Sequence, residues 1–440
     1  MRLLEKLRGD ELLGKVIRSS AHLFSSNSFS LALSVVQGIL AARLLSVFGW
    51  GLAAAVMAYA STVNGLFSFR MSELVVRYGG MYLEKGEKQK AAALIKAASL
   101  AETAVSVFAF IFVALTAGLA ARYIIKTPGA ERLLIAFSIG LLANFNAETS
   151  TGILQITDKV KLRGTINLFQ NLISVSMIIA AFLLHGSLAI VLIAYLTGKA
   201  ILGLGLFFAA QAQIRRILGR AWMNAPLSVL PSAREMFKFA FSSNLSATVI
   251  LVFRESELLW IVFFLSPVAA GLYKNAYAII SLLAIPADPL ILTVYPELNR
   301  LITQKAWPRL RDFLRKVTTL AFAYNMLIAL GLVFFGRWIL SIYGPGYAAA
   351  YPALIALLIG LVFNYTLFWN RPLLLSFGLP TFPLWITLIA GVLKTILGFL
   401  LVPRYGYVME AALLSFYYIL SVSFIVWRGM QELHRQESLG

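Results

Sequence analysis

Long apolar stretches alternate with short polar ones along the whole chain, and twelve of the stretches are long enough to cross a bilayer core as a helix. They lie at 20–45, 49–78, 91–121, 132–156, 162–184, 188–213, 236–265, 269–296, 313–340, 348–371, 380–402 and 407–428. Within each run the apolar residues are continuous and do not alternate with polar ones. That pattern predicts α-helices over a barrel of strands, because a helix satisfies its own backbone hydrogen bonds in lipid. The longer runs can tilt or project beyond the membrane.

The runs fall into two similar sets. Phe24-Ser25-Ser26-Asn27 returns as Phe241-Ser242-Ser243-Asn244 near the start of the other half, and Leu45-Ser46 with Gly51-Leu52 is echoed by Leu265-Ser266 with Gly271-Leu272. An interval of about 220 residues between such echoes predicts a duplicated unit of six helices. Six spans return each half to the same orientation, so the pseudo-twofold axis should run along the membrane normal. The expected organisation is a cytoplasmic amphipathic N-terminus at 1–19, an N-lobe at 20–213, a cytoplasmic linker at 214–235, a C-lobe at 236–428 and a cytoplasmic tail at 429–440. A duplicated membrane bundle suggests a transporter that exposes one site alternately to the two sides.

Composition agrees with the pattern. The chain is 60% hydrophobic and 13% charged, with a mean hydropathy of +0.82, so it reads as an all-α polytopic membrane protein. Its net charge of +19 would suggest nucleic acid as the partner of a soluble domain. Here the basic residues cluster in alternate loops, as in Lys85, Lys88 and Lys90, or Arg215, Arg216 and Arg220, or Arg300, Lys305, Arg309 and Arg311. This is the positive-inside bias of short cytoplasmic loops, and it removes the need for a nucleic-acid partner. It also places both termini in the cytoplasm. The start of the chain has basic and acidic residues and no small-residue cleavage site after its apolar run, so no signal peptide is expected. With no cysteine, disulfides and thiolate metal sites are excluded.

Ionisable residues inside spans are the first functional candidates, because each is unfavourable in hydrocarbon. The cations are Arg70, Lys199, Arg254, Lys274 and Lys394, and the anions are Glu73, Glu102, Glu148, Glu255, Glu257 and Asp288. Arg70, Glu73 and Arg77 share one face of a regular helix, either as a self-neutralising ladder or as a functional group at depth. Arg254 and Glu257 can form a structural ion pair, whereas Glu255 points elsewhere. Lys199 and Lys394 have no acid nearby in their own helices and are the stronger candidates for an anionic substrate. Asp288 lies between Pro286 and Pro289, which predicts a kink serving as a hinge or, with the freed carbonyls, a cation site. Asn364 and Trp369 in the tenth run could contact sugars, although aromatic residues near helix ends also anchor interfaces. Glu102, Glu148, Glu255 and Asp288 are candidates for coupling to a proton or sodium ion. No Gly-rich nucleotide loop is present, and His22, His185 and His434 are scattered without metal-binding spacing. No outward loop is long enough for an independent catalytic constellation, so an enzyme and a bound cofactor are not expected.

Several segments carry a family resemblance: Ala42-Arg43-Leu44-Leu45, Phe69-Arg70-Met71-Ser72-Glu73-Leu74-Val75-Val76-Arg77-Tyr78, Asn146-Ala147-Glu148-Thr149-Ser150-Thr151 and Thr157-Asp158-Lys159. Ala270-Gly271-Leu272-Tyr273-Lys274 and Tyr295-Pro296-Glu297-Leu298 extend it into the second half. The chain resembles the polysaccharide transporters, Wzx-type oligosaccharide flippases of the multidrug/oligosaccharidyl-lipid/polysaccharide exporter superfamily. The resemblance implies twelve helices in two six-helix lobes in the cytoplasmic (inner) membrane. It also implies alternating-access transfer of a polyprenyl-diphosphate-linked oligosaccharide to the outer leaflet for cell-surface polysaccharide synthesis. It implies Arg70, Arg254 and Lys274 as equivalents of cavity cations that hold the diphosphate, with membrane lipids and glycan polymerases or glycosyltransferases as partners. A cation-coupled drug exporter and a peptidoglycan-precursor flippase of the same superfamily are the alternatives. The former should carry a carboxylate in an early helix, and the first run, 20–45, has none.

Overall fold

A computed structural model describes residues 11–68, 71–230 and 256–439, with side chains from Ser30 onward apart from 31, 285–289, 292 and 439. The first helix, α1 (Glu11–Phe67), bends at Ser46, whose φ of 61° interrupts the helical backbone. After the break at 68, α2 covers 71–84 and contains a π-helical turn at Val75–Gly79. α3 (Lys88–Leu119) runs on into a second π-helical turn, Ala120–Ile125. There follow α4 (Ala130–Ala143), α5 (Ala147–Ile156), α6 (Val160–Leu183) and α7 (Leu188–Leu218). Beyond the undescribed stretch come α8 (Glu257–Phe264), α9 (Pro267–Ile280) and α10 (Ala284–Thr303). The rest is α11 (Trp307–Ile342), α12 (Tyr351–Thr366), α13 (Asn370–Ser376), α14 (Thr381–Tyr405) and α15 (Tyr407–Leu439).

The protein is therefore all-helical through its described residues, and nine of the described spans are long and apolar enough to cross a membrane. Much of the first and seventh expected runs lies outside the described backbone or side chains. The chain divides into two compact units, Ala32–Pro267 and Val268–Gly440 together with the N-terminal stretch through Leu31. In the first, α3 packs along α4, α6 along α7, and α5 against both α7 and α2. In the second, α12 and α14 both pack on α15, and α11 on α12.

The duplication is visible turn by turn. Left-handed residues close equivalent turns in the two halves, about 220 residues apart each time: Gly86 with Lys305, Asp158 with Gly378, and His185 with Gly406. The Leu45-Ser46 echo marks the bend in α1 and, as Leu265-Ser266, the break between α8 and α9. Two of the expected single spans are broken at corresponding places. The run 132–156 divides into α4 and α5 around a turn at 144–146, and 348–371 divides into α12 and α13 around a turn at 367–369.

Other departures have local causes. The face shared by Glu73 and Arg77 assumed a regular helix, but α2 winds as a π turn from Val75, which changes the angular phase between them, and Arg70 lies outside the described residues. Arg77 is exposed and lies over the Tyr78 ring. Pro286 and Pro289 do not break α10 at Asp288. The irregularity sits one turn earlier, as a 3-10 turn at Ser281–Leu283, where Pro286 can no longer donate to a preceding carbonyl.

Close helix approach depends on glycine at a few positions. A Cβ on Gly203 of α7 would overlap the Ala143 carbonyl and Asn144 at the end of α4. One on Gly118 would meet nothing within 4 Å. Gly203→Ala is expected to lose about 1–3 kcal/mol of stability through overpacking, while Gly118→Ala holds or gains a few tenths by helix propensity. Thermal unfolding of the two detergent-purified variants beside the parent measures both.

Candidate functional site

Breaking a helix inside a membrane leaves backbone groups that must find other partners. At the α4–α5 break the side chains of neighbouring helices supply them. Asn144 caps the end of α4: its amide Nδ2 donates to the Gly140 carbonyl at 2.9 Å and to the Lys199 carbonyl of α7 at 3.2 Å. On the other side of the turn, Glu102 of α3 accepts the first amides of α5, from Glu148 N at 2.8 Å to Oε1 and from Thr149 N at 2.9 Å to Oε2. A carboxylate so placed also meets the positive end of the α5 dipole. Asn146 completes the turn, its Nδ2 donating to the Ser99 carbonyl at 3.2 Å.

Glu148 turns the other way. Its Oε2 accepts the Ser72 hydroxyl at 2.5 Å, tying α5 to α2. Gly152, one turn further along α5, allows this, since a Cβ there would stand 2.9 Å from Val75 Cβ and 3.0 Å from the Ser72 carbonyl. Glu102 and Glu148, singled out in the sequence as possible coupling residues, thus meet at one joint. Glu255 and the Asp288 side chain lie outside the described residues.

The cations divide. Lys199 is half-buried on α7, its stem against the site of Gly140 and its ammonium 5.2 Å from the Phe137 ring centroid. That aromatic face is the contact its charged end makes among the described residues, and no carboxylate lies within ion-pair distance there. Lys394 behaves differently. Its Nζ is 3.1 Å from Glu410 of α15, with side chains 4% and 3% exposed, so the anion it meets belongs to the protein. Glu410 was missed because it lies on the next helix, where spacing along one helix gives no signal. Lys274 is half-buried on α9 beside the buried Tyr273. Arg70 and Arg254 lie outside the described residues.

Asn364 is half-buried on α12. Trp369 offers no open face for a sugar: it is buried among Val317, Ala321, Phe368 and Leu373, and its indole N–H donates to Thr318 at 2.6 Å. It packs as a core residue. The polar joint around Asn144, Asn146 and Glu102 could have been read from the sequence, since Asn-Phe-Asn followed by Ala-Glu-Thr-Ser is a helix-start signal inside an otherwise apolar run.

Comparison with known proteins places these features. The sequence profile of the family described as polysaccharide biosynthesis protein matches residues 16–302. The inner membrane protein YghQ of Escherichia coli (strain K12) is 25% identical over 345 residues, covering 76% of this chain and 94% of that one. Among solved structures, an inward-facing multidrug resistance MATE family transporter of the MOP superfamily aligns with a TM-score of 0.76 at 12% identity, over 94% of this chain and 96% of the other. The lipid II flippase MurJ in an inward closed conformation aligns with a TM-score of 0.69 at 14% identity, over 94% and 89%. These structures share the fold.

The buried Lys394–Glu410 pair should behave as a desolvated ion pair does. Lys394→Met or Glu410→Leu alone leaves one unpaired group in the interior and is expected to lose about 3–5 kcal/mol, whereas the double Lys394→Met/Glu410→Leu loses far less. A thermal double-mutant cycle in detergent reads the coupling.

Proposed function

Since the chain belongs to the polysaccharide biosynthesis protein family of membrane transporters, we propose that it flips a polyprenyl-diphosphate-linked oligosaccharide from the cytoplasmic to the outer leaflet. The transfer proceeds by alternating access, with both termini in the cytoplasm. The observation that carries this reading is Lys199, a cation within an apolar span with only an aromatic face for its ammonium among the described residues. A lone lysine in such surroundings is unfavourable as a charge, and a diphosphate returns the missing interaction. Arg70, Arg254 and Lys274 belong to the same proposal as further contacts to the phosphates, and Asn364 as a contact to sugar. Lys394, already neutralised by Glu410, contributes to the packing of α14 on α15 instead.

Sign separates this reading from export of organic cations. The family relation and the absence of an acid from 20–45 favour an anionic cargo. MurJ's cargo, lipid II, has the same headgroup chemistry, so the lipid-precursor reading differs only in the sugar portion. Consumption of the flipped lipid would pull the transfer forward, or an ion gradient would drive it; glycan polymerase or glycosyltransferase are the expected partners.

Lys199→Gln, Arg70→Ala and Arg254→Ala should each lower surface-glycan export at least about tenfold, the weight of one charge-assisted contact, with membrane abundance unchanged. Lys199→Arg should retain most of it. Uptake of a fluorescent lipid-linked oligosaccharide into proteoliposomes gives the same comparison in a purified system, and full flux in all three variants would remove the cations from the site.

A further inference from the structure

Glu102 stands in a position that is acidic in one half of the fold and apolar in the other. Thr318 and Ala321 of α11 occupy the places, counted from the helix start, that Ser99 and Glu102 occupy in α3. Both halves break the following span. The last residue of each turn bonds to the same place on the preceding helix, Asn146 to Ser99 and Trp369 to Thr318. The second half forms its break with Ala321 where the first has Glu102; Asn370 N–H turns back to the Leu367 carbonyl at 2.9 Å as Ala147 N–H does to the Asn144 carbonyl at 3.2 Å, but at the places of Glu148 and Thr149 it has the exposed Arg371 and Pro372, which has no N–H to satisfy. A buried carboxylate is thus one way of two to close such a break, and one that is unfavourable to bury in lipid.

The surroundings of Glu102 suit a proton better than a metal ion. Both oxygens already face N–H donors at a helix start, and a metal ion there would be repelled by the same dipole and amide hydrogens that hold the carboxylate. Among the described residues no three His, Cys, Asp or Glu side chains gather into a metal site. A proton changes the joint differently. When it binds one carboxylate oxygen, that oxygen becomes an O–H donor and a much weaker, uncharged acceptor, so its bond to the Glu148 or the Thr149 amide loses its charge assistance and loosens. An acceptor for the new O–H is at hand. The buried Thr149 hydroxyl lies beside Glu102, and the buried Ser150 hydroxyl has no hydrogen-bond partner among the described residues.

We propose that Glu102 is a proton-binding latch: ionised, it holds the start of α5 to α3, and protonated, it lets that half-helix go. The latch stands on the joint alone; its use to couple a proton to transport rests on the flippase reading. Other charged groups stand on the elements around it, with Glu84, Lys88, Lys90, Arg215 and Arg216 at the helix ends. Glu148 of α5 is the charge that acts on Glu102 and is itself held by Ser72. On α3, Lys96 spends its ammonium on the Ala225 carbonyl at 3.2 Å. α2 brings Glu73 and the exposed Arg77, α4 brings Glu131 and Arg132 at its N-terminal end, and α7 brings Lys199, which faces Phe137.

Amide hydrogen exchange in lipid nanodiscs tests the latch without any transported lipid, and the acid-free break at 367–376 is its internal control. Between about pH 9 and about pH 5, after correction for intrinsic exchange, protection of the α5 start should fall about tenfold relative to that of α13, the effect of losing one charge-assisted bond. Glu102→Gln should sit at the released level at every pH, Glu148→Gln should keep the pH response, and replacing potassium by sodium should change nothing. A ratio independent of pH in the parent overturns the proposal even if no variant folds. So does a response that survives in Glu102→Gln, vanishes in Glu148→Gln or follows sodium. Loss of flux in the cation variants alongside a failed latch would leave the flippase reading standing by itself.

Discussion

A backbone amide inside a bilayer must find an acceptor in the protein, and the architecture of Ala32–Pro267 turns on how that demand is met at one broken helix. Glu102 takes two amides of α5, and Asn144 covers carbonyls of α4 and α7. These bonds form only because glycine brings the helices together. Gly152 lets α5 lie against the backbone of α2, and Gly203 lets α7 approach the end of α4. Sequence acts here through the smallest side chain and the most strongly accepting one, and each would be ineffective without the other.

Duplication explains why there are two such breaks, and divergence explains why they differ. Counted from the helix start, α3 and α11 present Ser99 and Glu102 in one half, Thr318 and Ala321 in the other. The first joint is polar and built of backbone amides on a carboxylate. The second is apolar, with Trp369 packed among Phe368, Val317 and Ala321 and held by a single bond to Thr318. The second unit keeps a buried ion pair elsewhere, between α14 and α15. One ancestral helix order has thus been fitted with an ionisable joint in one copy and a hydrophobic joint in the other.

The apolar runs and the echoes about 220 residues apart carried the helix order and the repeat, since both depend on composition over whole spans. What the sequence left unread are events of one turn or less. The run 132–156 looked continuous because two asparagines do little to its mean hydropathy, although they end one helix and begin the next. The π turn at Val75–Gly79 has no composition of its own, and it changes the angle between Glu73 and Arg77 that a regular helix would give. Lys394 seemed unpaired because spacing within one helix cannot see Glu410 on the next. Trp369 could have been an anchor, a sugar platform or core, and only packing distinguishes those uses.

Formal charge is therefore a poor guide to the sign that a ligand meets in this protein. Around the α4–α5 joint and on α7 the first unit holds Glu102, Glu148 and Lys199, and a tally of these three would call the neighbourhood acidic. Solvation by the protein reverses that. Glu102 is stabilised by two backbone amides and a helix dipole, and Glu148 by the Ser72 hydroxyl, so both negative charges are spent inside the joint. Lys199 has an aromatic face, a weaker partner than a carboxylate or a ring of carbonyls. The charge left seeking a partner is the positive one, and in an apolar span it is the unspent charge, not the net charge, that selects what binds.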